Sequence, residues 1–340
     1  MNAGSLRATE IPPADRADAG LPRIWDMTLP GMFSGLNEVQ TLFQFHALGY
    51  RFVSVTAAND ACQEPAVAAH AIQSIHRTAE ANEGKFAIVT RASEIEGAVA
   101  ADKLAISFNF QGTNPFGGNM DNVARFAELG LDHALLAYNE ANSVGGGCAS
   151  DPGDPLTAYG RDLIGEFNRR GVIVDGSHAG YRTTMQAMDI SQQPFIFSHS
   201  NAHGLFPHYR NVRDDQIRAC ASSGGVVGIN GVGAFLNADG VAGPEQIFRH
   251  IDYVAELVGH EHVGLALDFI ERADLFAQRA ADETWAWPEN NGQPVRFDQF
   301  AEPEVMHEVV ALLESRGYAA GQIDDILWGN FYRVYAEVVG

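Results

Sequence analysis

Two histidines in the sequence stand where they could hold one metal ion. His178 ends the segment Val-Ile-Val-Asp-Gly-Ser-His, and His199 is the last residue but one of Phe-Ile-Phe-Ser-His-Ser. If both segments are neighbouring strands, about 5 Å apart, the two imidazoles can reach the same ion. Zinc binds imidazole nitrogen at about 2.0–2.1 Å and usually has a third protein ligand in catalytic sites. A single histidine at a strand end is more often structural, so the pair leaves a metal site and a structural role equally open.

A carboxylate and a guanidinium could complete such a site. Asp268 closes the segment Val-Gly-Leu-Ala-Leu-Asp. There it could act as a general base on water, as a metal ligand or as a helix N-cap. Arg210, in His-Tyr-Arg-Asn, presents a planar fork that matches a carboxylate. It could therefore anchor an acidic end of a substrate, and a surface ion pair is an equal alternative.

These residues lie at the ends of short apolar runs that alternate with amphipathic stretches from about residue 23 onward. We predict eight strands at Ile24–Leu29, Phe52–Thr56, Leu104–Phe110, Ala134–Tyr138, Val172–Gly176, Phe195–Ser198, Val226–Asn230 and Val263–Leu267, and an added strand at Phe86–Val89. Continuous apolar runs are typical of buried parallel strands. Eight of them alternating with helices predict an α/β fold, a (β/α)8 TIM-type barrel in a single domain.

Polar side chains collect at the carboxyl ends of these strands, where barrels place their active sites. They are Asp26, Thr28, Gln111, Tyr138, Asn139, His178, His199, Asn230 and Asp268. Helix capping could account for some of the Asp and Asn residues, but it does not explain two histidines at equivalent positions. The clustering therefore predicts an active site at this end of the barrel.

The overall composition restricts the possible functions. The chain has 340 residues, of which 46% are hydrophobic and 19% charged, and its formal net charge is −21. Nucleic-acid binding needs clustered cations, and no run of lysine or arginine is present, so we expect no nucleic-acid partner. Residues 1–22 are rich in Ala, Pro, Asp and Arg and lack the apolar core of a signal peptide. We assign them to a flexible arm and 23–340 to the barrel.

Cysteine usage and hydropathy indicate a reducing, aqueous compartment. The three cysteines, Cys62, Cys148 and Cys220, are widely spaced and form no CxxC pair. No stretch is long and apolar enough to span a bilayer, so we expect a cytoplasmic protein without a membrane partner. Trp285 and Trp287 follow the last strand and form either a lid over the site or a packed surface loop.

Several longer motifs resemble the membrane (renal) dipeptidase family of the metal-dependent amidohydrolases. The resemblance extends from about residue 23 to the C-terminus and is strongest between 128 and 236. Its motifs are Tyr-Asn-x-x-Asn-x-x-Gly-x-Gly-Cys at 138–148, Leu-Thr-x-Tyr-Gly-Arg at 156–161, Asn-Arg-x-Gly-Val at 168–172, Val-Asp-x-Ser-His at 174–178, Phe-Ser-His-Ser-Asn-Ala at 197–202, Arg-Asn-Val at 210–212 and Gly-Asn-Phe-x-Arg-Val at 329–334. Together they are far more specific than any single motif.

The resemblance assigns roles to four residues. His178 and His199 match the family's two zinc-binding histidines on the fifth and sixth strands. Asp268 matches its catalytic aspartate, and Arg210 matches the arginine that holds the substrate's carboxylate. Members of the family are commonly dimers, so the resemblance also implies a homodimer.

At four other positions the chain departs from the family's pattern. Asp26 and Thr28 stand where the first strand carries a His-x-Asp pair of zinc ligands, and Gln111 replaces the bridging glutamate. Tyr138 stands where the animal enzymes have a substrate-contacting histidine. A neutral glutamine cannot offset the repulsion between two zinc ions about 3.5–4 Å apart, and threonine is a poor zinc ligand. We therefore expect one zinc ion per chain instead of two, with no tightly bound metal as the alternative.

The expected function is hydrolysis of an amide bond in a dipeptide, or in a small N-acyl or amide-bearing carboxylate, by a metal-activated water. The predicted metal ligands are His178, His199 and Asp26, the predicted catalytic residues are Asp268 and Tyr138, and the predicted substrate-binding residues are Arg210, Gln111, Asn139, Asn230 and Thr28. Two alternatives stay open. One is lyase, isomerase or transfer chemistry on a small carboxylated amine, and the other is a non-catalytic ligand-binding protein. Convergence of the strand-end residues on an open pocket favours an enzyme.

Overall fold

Parallel strands and the helices that follow them form the frame of the structure, a computed structural model that describes residues 23–284, 286–290 and 292–340. The strands are β1 (Ile24–Leu29), β2 (Tyr50–Asn59), β3 (Phe86–Ile88), β4 (Leu104–Gln111), β5 (Leu131–Leu135), β6 (Ile173–Asp175), β7 (Phe195–Ile196), β8 (Val227–Ile229) and β9 (Val263–Leu265). The helices are α1 (Val39–Ala47), α2 (Pro65–Ala81), α3 (Ala92–Ala100), α4 (Asp121–Glu128), α5 (Ala158–Arg170), α6 (Tyr181–Ile190), α7 (Asp214–Ser222), α8 (Gly233–Leu236), α9 (Pro244–Val258), α10 (Ala273–Asp282), α11 (Val305–Arg316), α12 (Ala320–Asp324) and α13 (Asn330–Val338).

The strands close into a barrel in the order of the chain. One sheet runs β1-β2-β4-β5-β6-β7, and β8 pairs with β9. A parallel bridge between Phe197 and Val227 continues the first sheet into the second. At the opposite seam, the Asp26 carboxylate of β1 accepts a hydrogen bond from the Leu267 amide just after β9, at 3.1 Å. The short β3 pairs with the start of β4 and is the strand that was predicted outside the barrel. The prediction of a (β/α)8-type fold is thus confirmed.

The predicted strand Ala134–Tyr138 lies three residues too far along the chain. Ala134–Tyr138 was chosen because it is apolar, whereas β5 spans Leu131–Leu135 and includes Asp132 and His133, both fully buried. The Asp132 carboxylate accepts hydrogen bonds from Ser107 on β4, at 2.5 Å, and from His133, at 2.7 Å. Ion pairing and hydrogen bonding between these side chains offset the cost of burying them inside the barrel, so the strand begins before its apolar run does.

Aromatic side chains fill the end of the barrel where the strands begin. Trp25 on β1 stacks on Phe52 of β2 with ring centroids 3.6 Å apart. Trp328, just before α13, and Tyr335, within α13, pack edge-on against Trp25 with ring centroids 5.1 and 5.7 Å away. The C-terminal segment therefore closes this end of the barrel and leaves the carboxyl ends of the strands for chemistry.

Some predictions concern residues that the structure does not describe. The predicted arm 1–22 and Trp285 lie outside the described residues. In the part of the chain that is described, no helix is long and apolar enough to cross a membrane.

Two glycines give a matched test of this packing. A Cβ atom at Gly228 in β8 would lie 1.8 Å from the Ser198 carbonyl oxygen, whereas one at Gly97 in α3 would meet nothing within 4 Å. Gly228→Ala should lower the free energy of unfolding by about 3 kcal/mol, because the clash is with a backbone carbonyl, which cannot move aside as the end of a flexible side chain can. Gly97→Ala should raise it by about 0.5–1 kcal/mol, because alanine favours helix. Urea unfolding monitored by tryptophan fluorescence measures both, and equal effects would contradict the packing.

Candidate active site

The two predicted histidines meet at the carboxyl end of the barrel. His178 follows β6 and His199 follows β7, and their Nε2 atoms lie 3.0 Å apart. Both side chains are buried, with 3% and 0% of their surface exposed. Burial, and next to it the Arg210 guanidinium, holds the pKa of each imidazole well below its ordinary value. Both rings are therefore neutral at pH 7, and their nitrogens can bind a metal or exchange a proton.

Neighbouring polar groups orient both imidazoles. His178 Nδ1 donates to the Asn139 Oδ1 atom at 2.5 Å, and Asn139 in turn donates to the Ala286 carbonyl. His199 Nδ1 lies 2.7 Å from the Ser198 hydroxyl and 3.2 Å from the Thr28 hydroxyl. Asn139 and Thr28 were predicted to bind substrate. In the structure they contact the histidines instead, and neither of them lines the two cavities that adjoin His178.

Backbone strain marks two of the predicted residues. His178 has φ of 65° and Asp268 has φ of 56°, and with Asp102 they are the non-glycine residues of positive φ among those described. This left-handed conformation is unfavourable for a residue with a Cβ, and it recurs where a fold must aim a functional side chain. The histidine and the aspartate are thus held by the surrounding structure and not by local preference.

The two carboxylates of the site have different surroundings. Asp26 accepts hydrogen bonds from the backbone amides of Thr28, at 3.0 Å, and Leu267, at 3.1 Å, one on each oxygen. Burial raises its pKa to about 7. Asp268 accepts one hydrogen bond, from the Asn230 amide at 3.1 Å. Burial raises the pKa of Asp268 to about 6, although Arg210 and Asn230 act to lower it.

A cavity of about 110 Å³ lies beside these groups and has an aromatic wall. Gln111, Tyr138, His178 and Asp268 line its polar side. The remaining lining residues include Leu36, Val232, Phe235, Ile270, Phe276, Trp287, Phe297 and Phe300. The aromatic wall was not predicted except for Trp287, because its members come from distant loops with no common spacing. We name this space the aromatic cavity.

Tyr138 contributes a ring and a hydroxyl to the aromatic cavity. Its ring stacks on the His178 imidazole with centroids 4.2 Å apart. Burial raises the pKa of Tyr138 well above its ordinary value, so its hydroxyl stays protonated and can donate a hydrogen bond. Trp287 contacts both rings edge-on at about 6 Å.

A second cavity, of about 90 Å³, also has His178 in its lining and is lined by Arg210. The arginine is 3% exposed, and its Nη2 atom donates to the His199 carbonyl at 3.0 Å. Its Nε atom has no hydrogen-bond partner among the described residues. A buried guanidinium with a free donor is suited to bind a carboxylate. We name this space the arginine cavity, and His178 lies at the junction of the two cavities.

The donor set decides which metal centre these residues fit. The 3.0 Å between the two Nε2 atoms is close to the ~3.3 Å expected for two nitrogens on one tetrahedral zinc ion. Within residues 23–284, 286–290 and 292–340, no group of three or more His, Cys, Asp and Glu side chains could hold a metal ion. Both oxygens of Asp26 are already engaged by backbone amides. The residues therefore fit one ion on two imidazoles, with open positions, and they do not fit a two-ion centre.

A barrel with ionisable side chains gathered at the carboxyl ends of its strands is the architecture of barrel enzymes. The family described as "Membrane dipeptidase (Peptidase family M19)" matches residues 44–282. This chain belongs to that family, and its enzyme class is therefore that of the metal-dependent peptide hydrolases.

Relatives that are similar in sequence and solved structures that are similar in fold cover most of this chain. An "uncharacterized protein in pqqA 5'region" of Klebsiella pneumoniae is 31% identical over 75% of this chain and 90% of that protein. The dipeptidase tcpJ of Claviceps purpurea is 27% identical over 78% of this chain. That match covers only 59% of tcpJ, which is the longer protein. An amidohydrolase from Pseudomonas aeruginosa has a TM-score of 0.81 at 23% identity, covering 94% of this chain and 97% of that one. A metallopeptidase from Rhodobacter sphaeroides, bound to a phosphinate mimic of the dipeptide L-Ala-D-Ala, has a TM-score of 0.76 at 20% identity. The match covers 94% of this chain and 100% of that one. These two structures share the fold.

The raised pKa of Asp268 predicts a stability gain on neutralisation. Folding favours the protonated carboxyl, whose pKa rises from 3.8 to about 6, so the carboxylate destabilises the fold increasingly as the pH rises through this range. At pH 8, Asp268→Asn should therefore have a higher unfolding temperature than the wild type, with a free energy of unfolding larger by at most about 3 kcal/mol. At pH 4 the two should be alike. Calorimetry measures this, with the exposed Asp282→Asn as control, and a destabilised Asp268→Asn at pH 8 would contradict the assignment.

Proposed function

We propose that this chain hydrolyses the amide bond of a dipeptide or a small N-acyl amino acid and uses one metal ion held by His178 and His199. The single observation that carries the proposal is the pair of Nε2 atoms, 3.0 Å apart, of which one belongs to His178, a residue that lines both cavities. On one side lies the arginine cavity, and on the other Asp268 and Tyr138 line the aromatic cavity. A substrate that fills both cavities places its central amide bond beside His178.

The substrate's carboxylate binds in the arginine cavity. Arg210 has a free Nε donor and carries no ion pair among the described residues, so a carboxylate supplies both the charge and the missing acceptor. The other half of the substrate lies in the aromatic cavity. Since an apolar cavity of about 150 Å³ holds benzene, this smaller space suits an aliphatic side chain.

When bound, a zinc ion would supply Lewis acidity, which lowers the pKa of water toward ~7. Asp268 accepts the proton of the attacking water and passes it to the leaving amine nitrogen. Asn230 holds the Asp268 carboxylate by its hydrogen bond, and the Tyr138 hydroxyl donates to the carbonyl oxygen as negative charge develops there. Gln111 lines the aromatic cavity together with Tyr138 and Asp268 and positions the substrate. Its side-chain amide donates a hydrogen bond to the Thr56 hydroxyl at 3.3 Å.

A second candidate is non-peptidase chemistry, such as lyase or isomerase chemistry, on a small carboxylated amine. One observation favours it, because the histidine pair can be satisfied without a metal. The Ser198 hydroxyl can donate to His199 Nδ1, His199 Nε2 to His178 Nε2, and His178 Nδ1 donates to Asn139. This chain of hydrogen bonds leaves no imidazole nitrogen unpaired.

Metal content distinguishes the two candidates. Protein purified without a tag or chelator should contain about one zinc ion per chain by elemental analysis, and His178→Ala should contain none. The exposed His307→Ala serves as control and should keep its metal. Nitrogen NMR of the imidazoles provides a second readout, since zinc requires His199 to carry its hydrogen on Nδ1. Wild-type protein that binds no zinc after incubation with the metal would overturn the one-ion hydrolase.

The general base sets the pH dependence of the reaction. Asp268 must be ionised to accept a proton, and burial places its pKa near 6. We therefore expect kcat/KM for dipeptide hydrolysis to fall as the pH drops through about 6, and Asp268→Asn to lose at least about 100-fold at every pH. Steady-state kinetics between pH 4.5 and 8.5 test this. A flat profile over that range would show that another group acts as the base.

A further inference from the structure

The arginine cavity is cationic, although the chain as a whole is strongly acidic. The positive charges in its lining are those of Arg210 and Arg213, and none of the lining residues is an aspartate or glutamate. The chain carries a formal net charge of −21. A cavity that is lined by two cations and no carboxylate in such an acidic protein is electrostatically suited to an anion.

Several hydrogen-bond donors around this cavity have no acceptor. His208 accepts the Arg210 backbone amide on Nδ1 at 3.1 Å, so its Nε2 atom carries the hydrogen. That Nε2 atom, the Tyr209 hydroxyl and the Arg210 Nε atom are buried and have no partner in the described part of the chain. Buried donors are normally paired, and these three lie on consecutive residues. Burial, followed by Arg210, lowers the pKa of His208 to about 3, so this ring donates as a neutral group.

Arg213 adds a second cation at the rim. Its side chain is exposed and its guanidinium lies 5.1 Å from the centre of the Tyr181 ring. The two acidic residues that follow it are engaged elsewhere, since Asp215 accepts from the Tyr181 hydroxyl and Asp214 from Tyr253. Neither of them lines the cavity.

The number of donors exceeds what one carboxylate needs. The fork of Arg210 satisfies one carboxylate by two parallel hydrogen bonds. The His208 and Tyr209 donors and the Arg213 charge then remain for a second anionic group. The volume of about 90 Å³ is too small for an aromatic side chain but admits a short acidic one.

We propose that the arginine cavity binds the C-terminal residue of the substrate and selects one with a second carboxylate, namely aspartate or glutamate. This inference rests on the proposed amide hydrolysis. Arg210 holds the α-carboxylate, and His208, Tyr209 and Arg213 bind the side-chain carboxylate. The last three are specificity residues, and the chemistry at His178 does not depend on them.

Isosteric substrate pairs test the selectivity. We expect kcat/KM for Ala-Glu to exceed that for Ala-Gln by at least about tenfold, because glutamine keeps the shape and loses the charge. Tyr209→Phe and Arg213→Gln should each raise KM for Ala-Glu several-fold and raise KM for Ala-Gln by less, because hydrogen bonds to a carboxylate are stronger than those to an amide oxygen. Arg218→Gln, an exposed arginine in α7 that does not line the cavity, is the matched control and should alter neither.

Binding of free amino acids separates this inference from the proposed hydrolysis. Glutamate and glutamine contain no bond between two residues, so calorimetry with them reports the cavity alone. Glutamate binding at least about tenfold tighter than glutamine, and weakened by Arg213→Gln, supports the anion cavity even if no dipeptide is cleaved. Cleavage of Ala-Gln as efficient as that of Ala-Glu, or equal binding of the two amino acids, would overturn it.

Discussion

The hydrogen bond between the Asp26 carboxylate and the Leu267 amide is the interaction on which the site geometry depends. It joins the first strand to the end of the last across 241 positions of the chain, at the seam where no strand ladder connects them. The other Asp26 oxygen binds the Thr28 amide, and the Thr28 side chain touches His199. Closure of the barrel and placement of the histidine are thus one connected network. A residue in a metal-ligand position of the family serves here as part of the barrel's closure.

Arg210 is the charged residue that shifts the pKa of several groups in the same region. Its charge lowers the pKa of Asp268 against the larger, opposite effect of burial. It also lowers the pKa of His178 and His208, where the larger effect of burial acts in the same direction. The arginine itself is buried with one hydrogen bond to a backbone carbonyl and no ion pair among the described residues. A buried cation without a counter-ion is costly, so the free protein is prepared for an anionic ligand.

Much of the fold could be predicted from the sequence because apolar runs mark buried parallel strands. The eight barrel strands lie at or near their predicted positions, and the added strand at Phe86 was recognised as extra. The error at β5 has a specific cause, since Asp132 and His133 are polar in sequence but paired in space. Burial lowers the pKa of His133, yet the Asp132 and Asp175 carboxylates together outweigh it and raise the pKa above its ordinary value. Only the neighbouring strands reveal that such a pair can lie inside a barrel.

The sequence by itself determined the strand order, the end of the barrel that carries the polar side chains, and the family. Those properties follow from local hydrophobic periodicity and from motifs within short segments. Only the tertiary structure decided that Asp26 binds backbone amides, that Asn139 and Thr28 orient the histidines, and that His178 lies between an aromatic and a cationic cavity. The physical reason is that distances between side chains on different loops depend on how the strands close, and no local pattern encodes that closure.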